Sequence, residues 1–285
     1  MSGCRSLLIV PTLLAILVGL WSHEPVLAVG WSSIHQEKRS LTPLQLEIEK
    51  QVQRLSAAEV EERRDALMRL SALRHPSASR AAANGLTDNA PIVRATATSA
   101  VLSLPPEESA TLLIPLLNDK DEFVRQEAAY ALGKTQSRSA VESLIERLLQ
   151  DKKPGVRGAA AVALGQIRGE AAAPYLAKVL SPATPLPTST RIKVKTPREQ
   201  NAFVLRAAAR SLGQIGDRNG VPALAEVLHN EKAPSDLRRE AAFALGTIGD
   251  RRAIQALQQV LDAQDPYLAQ AAHQAIRRIS NRASQ

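Results

Sequence analysis

The chain repeats itself. The unit Val124-Arg125-Gln126-Glu127-Ala128-Ala129-Tyr130-Ala131-Leu132-Gly133 returns at 156–165, beginning Val156-Arg157 and ending Leu164-Gly165, and again at 237–246, beginning Leu237-Arg238 and ending Leu245-Gly246. A fourth copy at 204–213 carries its arginine one place later, at Arg206. Gly133, Gly165, Gly213 and Gly246 are spaced 32, 48 and 33 residues apart, so the middle interval holds about 16 inserted residues. Degenerate copies flank these at Val93-Arg94 and Leu268. A period near 32 with two helical patterns per unit marks an α-solenoid, because one helical hairpin cannot bury its apolar face alone and a stack of them can. Composition agrees: 45% apolar residues can build a core, and 3% aromatics argue against sandwiches, barrels and open sheets. The expected fold is all-α, a right-handed superhelix of about six helical pairs.

Residue choices inside the unit have physical readings. Ala128, Ala129, Ala160, Ala161, Ala241 and Ala242 let neighbouring helices approach closely, and the leucine that follows fills the shared core. Gly133, Gly165, Gly213 and Gly246 are expected to end helices in the left-handed conformation. Second helices are expected to finish on Leu148-Leu149, Val179-Leu180, Val227-Leu228 and Val260-Leu261. Capping boxes read at Thr42 to Gln45, Ser56 to Glu59 and Thr196 to Glu199, and Asp265-Pro266 is a cap followed by proline at the first helical position. Pro174 and Pro222 sit near helix starts, whereas Pro115 lies within an apolar run and should kink or shorten its helix.

The first residues belong to a different argument. Arg5, the fifteen-residue apolar stretch Leu7 to Trp21 and the small residues at Val26 and Ala28 together read as a secretory signal over 1–28. That stretch is shorter than the about 20 residues a bilayer crossing needs, and Pro11 and Gly19 interrupt it, so cleavage is expected in place of anchoring. Cleavage would remove Cys4, the one cysteine, and leave the net charge at +8. Residues 29–41 read as a mobile leader, 42–87 as an atypical N-terminal helical cap, and 88–285 as the repeat solenoid.

The unit Val-Arg-x-x-Ala-Ala-x-Ala-Leu-Gly, followed by Ile215-Gly216-Asp217 or Ile248-Gly249-Asp250, resembles the HEAT-like repeat of the phycobilisome-lyase type over roughly residues 88–280. The resemblance implies a helical-repeat fold and leaves function open, since that family includes bilin lyases, a di-iron deoxyhypusine hydroxylase and many scaffolds. In the hydroxylase, His-Glu pairs follow the repeat arginine; here those places hold Gln126-Glu127, Gly158-Ala159, Arg206-Ala207 and Arg239-Glu240, so no iron site is expected. The lyase relationship implies a tetrapyrrole ligand handed to a phycobiliprotein cysteine. An export signal and scarce aromatics argue against that role here.

Catalytic constellations are missing from the sequence. His23, His35, His75, His229 and His273 include no pair three or four apart, and neither a nucleophile elbow nor a phosphate-binding loop is present. No cofactor and no enzyme activity are therefore expected. Basic residues interleave with Glu142, Glu146 and Glu226, which together with few stacking aromatics argues against nucleic acid as partner. The excess of 36 Lys and Arg over 28 Asp and Glu favours an acidic protein or an anionic envelope surface.

One segment interrupts the repeat rhythm. The insertion 183–195 contains Pro185, Pro187 and Thr188-Ser189-Thr190, then alternates Arg191-Ile192-Lys193-Val194-Lys195 as a short basic strand would. Arg191, Lys193, Lys195 and Arg198 are the candidate partner-binding residues, a basic arm docking on an acidic partner. The function expected from the sequence is a non-catalytic interaction or assembly scaffold, exported to the periplasm or another extracytoplasmic compartment. A bilin lyase or chaperone-like protein acting on a tetrapyrrole-bearing protein is the alternative.

Overall fold

The computed structural model describes residues 41–186 and 201–282. The expected signal, the leader up to Ser40, the strand at 191–195 and the Thr196 capping box lie outside the described residues. Thr42 opens α1 (Pro43–Arg54) with the reciprocal box read from the sequence: its hydroxyl accepts the Gln45 N–H at 3.3 Å, and the Gln45 side chain accepts the Thr42 N–H at 2.9 Å. Six pairs follow. They are α2 (Val60–Ala72) with α3 (Pro76–Ala82), α4 (Pro91–Ala100) with α5 (Pro106–Leu113), and α6 (Glu122–Thr135) with α7 (Val141–Gln150). Then come α8 (Pro154–Ile167) with α9 (Ala173–Leu180), α10 (Ala202–Ile215) with α11 (Val221–His229), and α12 (Ser235–Ile248) with α13 (Ile254–Gln258). Asp265 caps α14 (Pro266–Arg282), which closes the stack.

No strand occurs among the described residues. The first helices α2, α4, α6, α8, α10, α12 and α14 pack in one continuous row, and α7, α9, α11 and α13 form a second row beside it. This is an α-solenoid. Its core is aliphatic: Leu67, Leu70, Leu113, Leu132, Leu164 and Leu212 are fully buried, and among the described residues no Phe or Tyr belongs to the buried set. Each such leucine contributes about 1.5–3 kcal/mol by leaving water. Residues 60–87, read from the sequence as part of the cap, form a helical pair like the others.

The repeat glycines do something other than end helices. Gly133, Gly165, Gly213 and Gly246 all lie inside α6, α8, α10 and α12. The left-handed residue comes three places later, at Gln136, Arg168, Gly216 and Gly249, where φ is 57°, 54°, 81° and 78°. What the glycines provide is closeness between first helices. A Cβ on Gly246 would stand 2.7 Å from the Ala275 Cα, one on Gly213 2.9 Å from the Ala244 Cα, and one on Gly133 2.8 Å from the Ala163 Cα. At Gly165 the neighbour is Ser211, whose hydroxyl donates to the Ala161 carbonyl at 2.7 Å and ties α10 to α8 across the inserted segment.

Other boundaries also shift from expectation. Ser56 does not cap: α2 begins at Val60 after Glu59, which makes no side-chain cap bond. The N–H groups of Ser56 and Ala57 instead bond back to Gln53 and Arg54, and Arg63 draws the Ala57 and Ala58 carbonyls to itself. Val260 and Leu261 follow a short α13 and lie in a turn, not in the helix. Pro115 acts as the sequence suggests, since α5 stops at Leu113 and the chain tightens into a 3-10 turn over Ile114–Asn118. Pro174 and Pro222 occupy the first turns of α9 and α11.

Replacing Gly246 by Ala tests the close approach. Alanine favours a helix by about 0.5–1 kcal/mol in open surroundings. Displacing the Ala275 backbone should more than offset that gain, for a net loss of about 1–3 kcal/mol in urea unfolding. A stabilised G246A variant would contradict the packing described.

Candidate interaction surface

Two sets of side chains brace the stack, and they leave different surfaces. The first set runs along the loops. The arginine at the fourth place of α2, α4 and α6 forms a two-pronged ion pair with the aspartate that ends the same repeat: Arg63 with Asp88 (2.7 and 2.9 Å), Arg94 with Asp119 (2.8 and 2.8 Å) and Arg125 with Asp151 (2.8 and 3.2 Å). The remaining guanidinium nitrogen of Arg94 holds the Asp88 and Asn89 carbonyls, and that of Arg125 holds the Asp119 and Lys120 carbonyls. Each aspartate also accepts a backbone N–H two residues on, from Ala90, Asp121 or Lys153. One side chain therefore fixes the loop before its own helix and the loop after its partner helix.

These groups are sheltered, so their protonation is coupled to folding. The hydrogen bond from Arg63 chiefly holds the Asp88 carboxyl below its ordinary value, against burial that raises it. At Asp119 burial pushes upward most strongly, but the Arg94 hydrogen bond, the Asp121 N–H and the charges of Arg94 and Lys120 together leave it lowered. A cleft of about 760 Å³ opens beside this edge, with Lys120, Glu122, Arg147, Gln150, Lys152 and Lys153 in its wall. Its charges are mixed, and Lys153 already pairs with Glu122 at 2.6 Å.

The second set lies on the outward side of the first helices. Counting from the start of each helix, places 2, 5, 9 and 13 face solvent or the neighbouring outward side chains. Place 2 holds Phe123, Gly155, Phe203, Asp236 and Tyr267 in α6 to α14, and place 9 holds Tyr130, Val162, Arg210, Phe243 and Gln274. Phe123, Phe203, Phe243 and Tyr267 are all exposed, the last at 65%. The ring of Phe203 lies over Gly158 of α8, where no side chain would fit beneath it. Arg206 pairs with Asp236 at 2.8 Å, Arg210 with Glu240 at 2.7 Å, and Arg239 with Asp265 at 3.1 Å. The guanidinium of Arg239 stands 5.5 Å from the Tyr267 ring centre, and that of Arg278 4.8 Å from the Phe243 ring centre. Each such cation–π contact is worth about 0.5–1 kcal/mol at an exposed site.

Arg191, Lys193, Lys195 and Arg198, the candidates read from the sequence, lie outside the described residues. The histidines within them are dispersed. His75 caps α3 by accepting the Ser77 N–H, His229 ends α11 with its ring 3.3 Å from the Ala256 carbonyl, and His273 is exposed on α14. Among the described residues, no group of three His, Cys, Asp or Glu could hold a metal ion. Glu240, one of the two carboxylates at the places a ligand pair would occupy, is the partner of Arg210. A smaller groove of about 530 Å³ between α9 and α11 is walled by Pro174, Ala177, Pro222 and Ala223.

A family model described as HEAT repeats matches residues 48–133, 110–186 and 197–277. No curated protein sequence matches the chain. Among solved structures, an engineered protein is 20% identical over 82% of this chain and 68% of its own, with a TM-score of 0.51, a likeness of fold. The complex of CpcE and CpcF of phycocyanin lyase from Nostoc is 22% identical over 87% of this chain and 97% of its own, with a TM-score of 0.47. Human deoxyhypusine hydroxylase in complex with glycerol is 21% identical over 82% of this chain and 84% of its own, with a TM-score of 0.41.

Truncating one buried ion-pair partner strands the other charge, so Asp119→Ala should cost about 3 kcal/mol at neutral pH in urea unfolding. Because the folded carboxyls of Asp88 and Asp119 titrate below their unfolded value, the stability they add is complete above that value and lost as pH falls through the folded one. The parent should therefore lose stability below about pH 5 more steeply than the variant. Parallel acid profiles would show that the ladder is not braced as described.

Proposed function

The chain belongs to the HEAT-repeat family, and from that premise we propose that it is a non-catalytic scaffold that holds another protein in the cell envelope. The observation that carries this reading is the outward row of Phe123, Phe203, Phe243 and Tyr267, all exposed, while no Phe or Tyr is fully buried among the described residues. Aromatic rings interleaved with arginines are the side chains that protein interfaces enrich, because they bury much area at little entropic cost. The described stack runs through seven successive first helices. It offers length, over which many weak contacts add up.

Charge points to the kind of partner. The net charge of +8 and the basic arm Arg191, Lys193 and Lys195 favour an acidic protein, with the arm as a second point of capture. Location outside the cytoplasm rests on the apolar stretch Leu7 to Trp21 and the small residues before Val29. Both features serve one task, holding an acidic partner or an anionic surface of the envelope.

The N-terminus and fraction of the native protein test this reading. A chain starting at Val29 in the envelope fraction, colourless and retaining its partner at low salt, is the expected result. Replacing Arg191, Lys193 and Lys195 by Ser should weaken that retention and leave thermal stability unchanged. An intact Met1 chain in the cytoplasm that gains visible absorbance on titration with bilin would replace the scaffold with the tetrapyrrole-handling alternative.

A further inference from the structure

We infer that the outward face of α10, α12 and α14 is a docking surface for an acidic protein segment whose carboxylates are interspersed with apolar side chains. This rests on the scaffold reading and goes further, in naming one face and the chemistry that fits it.

Three observations lead there. First, the exposed rings of Phe203, Phe243 and Tyr267 come from three successive first helices, and Arg278 and Arg239 stand over the rings of Phe243 and Tyr267. Second, two of the three ion pairs of this face are lopsided, Arg206–Asp236 being evenly exposed. The Arg210 side chain is 62% exposed while its partner Glu240 is 14% exposed, and Arg239 is 39% exposed against 19% for Asp265. In these two pairs the carboxylate is the more sheltered partner, so Arg210 and Arg239 present guanidinium to solvent. Third, Arg278 has the Phe243 ring as its neighbour, and α14 carries Arg277, Arg278 and Arg282 with no acidic residue. A guanidinium resting on a ring is presented flat, and its edge can take a carboxylate in two hydrogen bonds.

Spacing separates a protein partner from a nucleic acid. Neighbouring helices set their outward side chains about 8–10 Å apart, too far for successive stacked bases of one strand. A protein segment can instead place a carboxylate against Arg210, Arg239 or Arg278 and an apolar side chain between the rings.

Poly(Glu,Tyr) copolymer, poly-Glu and oligothymidylate, each fluorescently labelled, are suitable probes for anisotropy titrations of the full chain at low salt. The copolymer should bind about tenfold more tightly than poly-Glu, and the triple substitution Phe203→Ser, Phe243→Ser, Tyr267→Ser should erase most of that difference while far-UV circular dichroism stays unchanged. Arg210→Gln with Arg278→Gln should weaken both glutamate polymers and steepen neither salt dependence. Equal affinity for the two polymers, or a copolymer affinity untouched by the triple substitution, would overturn the assignment. So would tighter binding of oligothymidylate that the same substitutions abolish. Loss of copolymer binding only on replacing Lys120, Lys152 and Lys153 would remove this face and leave a scaffold that binds elsewhere. The scaffold reading itself fails only on the native protein's address and absorbance.

Discussion

The near contact of backbones between successive first helices sets the terms for everything else in this molecule. Where Gly246 faces Ala275, Gly213 faces Ala244 and Gly133 faces Ala163, there is no room for a Cβ. Close approach keeps equivalent places of neighbouring helices in register, and register turns scattered residues into rows. It also has a cost. Glycine and alanine bury little area, so the cohesion of the stack falls to the leucines between the two rows and to polar braces at its edges.

Those braces divide the labour. The loop-edge pairs of Arg63, Arg94 and Arg125 are sheltered, two-pronged and tied into backbone carbonyls, so each is costly to break and fixes one repeat against the next. The outward pairs of Arg206, Arg210 and Arg239 sit in or near water, where an ion pair adds at most about 1 kcal/mol. The fold can spare them. Side chains that stability does not depend on are available for recognition, which is why the outward face and not the loop edge is the better surface for a partner.

Much of this was legible in the sequence, for identifiable reasons. Helical periodicity and the returning Val-Arg and Leu-Gly pairs gave the architecture, because stacking requires the same small residues in every unit. Thr42, Asp265 and Pro115 were readable because caps and prolines act locally. The glycines misled because a residue that relieves a helix end and one that admits a neighbouring helix look alike in one dimension. Aspartates 88, 119 and 151 were overlooked although a signal existed: Asp88 and Asp119 stand six residues before Arg94 and Arg125, and Asp151 six before Arg157. The aromatic face was hidden for another reason. Positions 123, 203, 243 and 267 follow no linear period, and only the superposition of helices shows that places 2 and 9, two turns apart, share one side.

A photo-crosslinking amino acid at position 243, introduced in the native cell, tests most directly whether this molecule works through its outward face. The account predicts a discrete adduct with one acidic protein of the envelope, lost when Phe203 and Tyr267 are replaced by Ser and absent when the crosslinker is moved to position 120 on the loop edge. Adducts formed from position 120 but not from 243 would contradict it.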